Sequence, residues 1–140
     1  MNVGGDSVTV TYAGEVRAYL SGFGDPPKLY DALREAHLSV PLDVHGRFFT
    51  LVQGGLPWML AFTTPQRLRD FADLTDRDPP AEVTYIDVQG QALIDEVLDI
   101  APPEPTGLVV DPMTPTQMTF PPLKDFTPHC YYDDEGEIIR

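Results

Sequence analysis

The spacing of apolar residues changes period several times along the chain, and the sharpest change falls in its middle. Trp58, Leu60 and Phe62 recur at every second position while Met59 and Ala61 fill the alternate ones, which predicts a strand apolar on both faces inside a covered sheet. The period then becomes helical. Thr64 suits an N-cap, Pro65 the first turn, and Leu68, Phe71 and Ala72 share one side of the helix that follows. Upstream, residues 6 to 12 alternate as a short strand or an ordered arm would. From Glu15, Val16, Tyr19 and Leu20 fit a helix that stops at Gly22-Phe23-Gly24. A second helix is predicted from Pro27 to about His37, with Leu29, Tyr30, Leu33 and Ala36 inward.

Leu38, Val40, Leu42 and Val44 alternate with polar residues and with Pro41, which reads as a half-buried strand at an edge or a locally unpaired position. Turns at His45-Gly46 and Gln53-Gly54-Gly55 bracket a strand from Arg47 to Val52. With the Trp58 strand these predict an antiparallel meander. Downstream come a proline-marked loop over residues 76–80, a strand from Val83 to Val88, and a helix opened by Gly90 with Leu93, Ile94, Val97 and Leu98 as its stripe. Pro102 and Pro103 end that helix, and strands over residues 107–112 and 116–120 follow. The sum is an α+β single domain, a mixed and largely antiparallel β-sheet packed against three to four helices.

Composition narrows the class. The 140 residues suit one domain that buries roughly two thirds of the surface of its unfolded chain. Eight of the 15 prolines follow residue 100, so the last third is read as turns and edges. A net charge of −13 repels phosphate backbones and anionic lipid, so neither nucleic acid nor membrane is an expected partner. The first six residues lack the basic and apolar regions of a signal peptide, and Cys130 stands alone. A cytoplasmic, reducing location is expected.

Four stretches resemble the SseB N-terminal domain family, a bacterial group named after an enhanced-serine-sensitivity protein. They are Leu38-Ser39-Val40-Pro41-Leu42-Asp43, the run from Trp58 through Phe62-Thr63-Thr64-Pro65 to Phe71, the Val83 to Leu98 strand and helix, and Leu108-Val109-Val110-Asp111-Pro112. Resemblance is strongest over residues 28–120 of a domain set at 1–124, with 125–140 as an acidic, aromatic extension. Asp111 and Met113 stand where members often carry Asn and Gly, a departure that bears on the tight turn there. The resemblance does not reach the second domain of longer members, so no activity that needs it is carried over. The resemblance implies a regulatory or interaction role and brings no catalytic residues.

Candidate chemistry is thin. Gly5-Asp6-Ser7-Val8 has the residue order of a hydrolase nucleophile block but lacks a preceding strand, and Asp125 and His129 do not have that family's spacing. His129-Cys130 are adjacent, which rarely closes a metal site, and Asp133-Asp134-Glu135-Gly136-Glu137 lacks the ligand spacing of a calcium loop. No catalytic residue, cofactor or metal is expected, and Trp58 is read as a core anchor. The tail is more informative. A hairpin between Tyr131-Tyr132 and Ile138-Ile139 would leave one apolar face over, so Phe126, Tyr131, Tyr132, Asp133, Asp134, Ile138 and Ile139 are the candidate partner-binding residues. The partner expected is another protein or a second copy of the chain. A small-molecule enzyme and an acidic, antitoxin-like inhibitor are the alternative functions.

Overall fold

The computed structural model describes residues 5–78, 82–100 and 103–140, with side chains from residue 12 onward. Pro79, Pro80 and Pro102, read above as breakers, lie outside these residues, as do the first four. The elements run α1 (Gly5–Leu20), α2 (Pro26–Glu35), β1 (His37–Pro41), β2 (Thr50–Gln53), β3 (Leu56–Ala61) and α3 (Pro65–Thr75), then β4 (Tyr85–Gln89) and α4 (Gly90–Ala92). A π-helical stretch, Leu93–Leu98, continues α4, and β5 (Gly107–Val110), β6 (Met118–Phe120), β7 (Tyr131–Tyr132) and β8 (Ile138–Ile139) close the chain.

Local chemistry accounts for most of these elements. Thr64 caps α3 by accepting from the Arg67 amide at 3.1 Å, and Pro65 sits in the first turn where no amide donor is needed. Asp25 holds the same place before α2, whose Leu29, Ala32 and Leu33 are buried at helical spacing. In α1 the sequence reading is corrected. The alternation of residues 6 to 12 is not a strand, because one helix runs from Gly5 and sets Tyr12 and Val16, four apart, into the main core beside Leu29 and Leu33. A tertiary contact overrides the β-branched local preference.

The principal sheet has the order β2-β3-β5-β6. β3 and β5 run parallel, joined by a crossover through α3, β4 and α4, while the outer pairs are antiparallel. The expected meander is half right. β2 pairs β3, but β1 pairs β4 from His37–Gln89 to Pro41–Tyr85 and meets the chain leading into β2 at the Leu42–Phe48 bridge, where the Phe49 amide bonds the Pro41 carbonyl. The reason is a contact remote in sequence: the Gly90 amide bonds the Ala36 carbonyl at 2.8 Å, and a Cβ at Gly90 would lie 1.9 Å from the Leu33 carbonyl oxygen. That contact brings the chain leaving α2 alongside the chain entering α4. β1 also meets the end of β3, where Ser39 and Phe62 exchange hydrogen bonds of 2.7 and 2.9 Å.

The core has two parts. Met59, Ala61, Leu108, Val110 and Phe120 pack under α1, α2 and α4, whereas Leu60, Phe62 and Leu68 form a smaller cluster on the opposite face, joined by Phe71. The result is an α+β single domain. Tyr12, like the buried Thr127, carries a hydroxyl that the core leaves unpaired among the described residues. The Tyr12 hydroxyl faces an 80 Å³ cavity that Arg67, Asp111 and Thr116 also line. Burial, and then the Asp111 charge, push its ionisation well above the usual phenol range against a weaker pull from Arg67.

The sign follows. An unfolded tyrosine loses its proton near pH 10 while Tyr12 keeps it, so this contribution to stability is complete below about pH 10 and falls as pH rises beyond it. Tyr12→Phe is therefore expected to flatten the alkaline fall in urea denaturation while costing little at neutral pH. A loss of more than about 1 kcal/mol at neutral pH would show that the hydroxyl is satisfied.

Candidate functional site

The second face of the principal sheet carries the most distinctive surface of the molecule. Leu51 lies opposite Trp58, Leu60 beside Val109, and Val109 opposite Thr119, so all four strands contribute to a continuous stripe. α3 covers only one end of it. Leu68 packs on Leu60 and Phe62, and the Phe71 ring tilts over Phe62 with centroids 5.4 Å apart, but the helix stops at Thr75. The uncovered end is an open groove of about 890 Å³, with Phe49, Leu51, Trp58, Leu60, Phe71, Val109, Pro112 and Met113 among its walls. Asp76 and Arg77 are the charged lining residues, adjacent in the chain at the end of α3.

Trp58 is built into the groove rather than hidden beneath it. Its ring occupies the space above Gly107, where a Cβ would meet it at 2.4 Å, and its indole N–H donates to the Gln53 carbonyl at 3.0 Å. The half-buried side chain is thus a fixed wall. The double-sided apolar pattern of the Trp58 strand is real, but only the Leu60–Phe62 end is covered on both sides.

One rim of the groove is a strained turn. After β5 the chain turns through Asp111 and Met113, both with positive φ (53° and 61°), a region that costs most L-residues about 1–2 kcal/mol. The tight turn thus forms with Asp111 and Met113 in place. Asp111 is buried, and its carboxylate accepts from the Thr63 amide at 2.9 Å, the Thr63 hydroxyl at 2.8 Å and Arg67 Nη1 at 2.9 Å. Arg67 Nη1 also donates to Thr116 Oγ1 at 3.0 Å, and Met113 donates its amide to Gln117 Oε1 at 2.7 Å. These bonds hold the turn and leave the Met113 side chain 61% exposed at the groove.

The tail residues singled out in the sequence lie elsewhere. The hairpin of β7 and β8 is present, closed by Gly136 at φ 81° and by the Asp133 carboxylate, which accepts from the Glu135 and Glu137 amides at 2.9 Å. Tyr131 and Tyr132 are half-buried, Asp134 is exposed, and Ile138 and Ile139 are exposed at the edge. Phe126 is corrected. It stacks on Phe120 at 5.3 Å and tilts against Tyr30 at 5.8 Å inside the core, so it cannot meet a partner. None of the seven lines the groove.

The tail also carries an aspartate–histidine pair. At the end of the π-helical stretch the Asp99 amide bonds the Ile94 carbonyl, and its buried carboxylate accepts from the His129 amide at 2.6 Å, meets His129 Nδ1 at 2.7 Å, and accepts from the Cys130 amide at 3.2 Å. This fixes an imidazole whose side chain is 75% exposed. Cys130 is a poor nucleophile: burial, with Asp99 adding to it and Arg140 opposing, pushes its thiol above the ordinary range. Among the described residues no three His, Cys, Asp or Glu side chains gather where a metal could be held. The Gly5-Asp6-Ser7-Val8 block lies in the helical backbone of α1.

A model of the SseB protein N-terminal domain matches residues 18–124. The chain belongs to the SseB N-terminal domain family. No curated protein and no solved structure matches it. The groove lies wholly within the SseB-like span, its lining running from Phe49 to Thr119. Core residues come from outside that span as well: Tyr12 and Val16 precede it, and Phe126 and Cys130 follow it. Sequence reasoning missed the groove because no local pattern reports how far a helix reaches across a sheet.

The strained turn of this SseB-like domain generates a direct test. Met113→Gly and Met113→Ala lose the same contacts, but only glycine accepts positive φ without strain, so the glycine variant is expected to be more stable by about 1 kcal/mol. Thermal denaturation of the two proteins measures it. Equal melting temperatures would mean that the turn relaxes.

Proposed function

We propose that this SseB-like domain is a non-catalytic binding module that holds an apolar segment of another protein in the groove of its principal sheet. The observation that carries the reading is an open, aromatic and aliphatic surface walled by a fixed Trp58, on a face that a soluble monomer would ordinarily cover. A strained turn held at its rim adds support, since backbone strain collects at sites of function. The groups with perturbed ionisation, Tyr12, Tyr30, Asp43 and Cys130, lie outside the groove, which favours binding over proton-transfer chemistry. This reading moves the partner contact from the tail hairpin to the groove. A buried free thiol suits a reducing cytoplasm.

Leu51 is 43% exposed and lines the groove, so Leu51→Asp should place a charge in it without disturbing the fold. Proteins retained from a lysate of the native cells by immobilised wild type are expected to be released by Leu51→Asp, which should melt as the wild type does. Identical retention by both would overturn the reading.

A further inference from the structure

We propose that the groove receives its partner as an added β-strand, an extended segment with apolar side chains at alternate positions and Lys or Arg between them. This rests on the binding reading above and specifies the occupant of the same groove. Three observations carry it. The first is the edge. Among the described residues β2 pairs only β3 over Thr50–Gln53, and all four of its residues are exposed. Natural edge strands are guarded by lysine, proline, bulges or inward charges, and Thr-Leu-Val-Gln has no proline and no charge. Val52 stands 77% exposed on it, and its register with β3 is unbroken.

The second is geometry. A strand laid beside β2 sends every second side chain to the face that Leu51, Trp58, Leu60 and Val109 form, and the remaining ones to the other face. Backbone pairing supplies affinity while alternate side chains in the groove supply selectivity. Because the groove is uncharged up to Asp76 and Arg77 at its margin, the inward side chains must be apolar. The third is charge. Outward side chains would face a body of net charge −13, which favours Lys and Arg and disfavours a second copy of the same acidic chain.

The test uses the full chain and four synthetic, end-blocked peptides. One alternates Lys and Val, one has the same residues in two blocks, and two are the alternating peptide N-methylated on one or the other set of alternate amides. Trp58 is the sole tryptophan and a wall of the groove, so its emission reports the site directly. The alternating peptide is expected to shift that emission saturably, and the block peptide to bind at least about tenfold more weakly. One methylated peptide should lose binding by a similar factor and the other should keep it, since only one set of amides faces β2. Equal binding by both methylated peptides, or by the block peptide, would overturn strand addition. So would the absence of any shift, or a dimer of the protein that Leu51→Asp abolishes. Release of the native partner by Leu51→Asp together with indifference to methylation would leave the binding reading standing and remove strand addition alone.

Discussion

A buried carboxylate is the constraint on which the rest of this molecule depends. Placing an ionised group such as Asp111 inside a protein costs several kcal/mol unless donors surround it, and here Thr63 and Arg67 supply three. Each charge-assisted bond returns about 1.5–3 kcal/mol, so the arrangement is favourable only when the donors are present together. They come from the turn between β3 and α3 and from the first turn of α3, while Asp111 itself directly follows β5 and donates its amide to the Ala61 carbonyl at 2.9 Å. One side chain therefore locks two parallel strands to the helix between them.

The shape of the groove follows from that lock. Arg67 fixes the start of α3, the length of α3 decides how much of the sheet is covered, and the uncovered remainder exposes Trp58 and Val109. The same carboxylate holds a backbone turn that an L-residue does not adopt willingly, and that turn carries Met113 at the rim. The apolar surface is thus a consequence of rigid elements rather than of a loose loop, which suits a binding site that must keep its form before a partner arrives.

Sequence reasoning reached the elements whose information is local. The Trp58 strand, the Thr64-Pro65 start of α3, the Leu93–Leu98 stripe and the Tyr131–Ile139 hairpin all rest on spacing, caps or turn residues, and each is present. It failed where a distant contact decides. Residues 6 to 12 alternate like a strand, yet Tyr12 and Val16 gain more as one face of a helix, and β1 leaves the meander for β4 because Gly90 packs against α2. The groove was hidden for the same reason: Leu51 and Val109 look like core residues until the reach of α3 is known. Phe126 was misread in the opposite direction, since an aromatic in an acidic tail resembles a contact residue but belongs to the Phe120 stack.

Asp111 and Arg67 act together to join β5 to α3. A double-mutant cycle with Asp111→Asn and Arg67→Met, followed by urea denaturation through the emission of Trp58, measures this coupling directly. The two substitutions are expected to interact by at least about 1 kcal/mol, as residues of one buried network do. Effects that simply add, within about 0.5 kcal/mol, would contradict it.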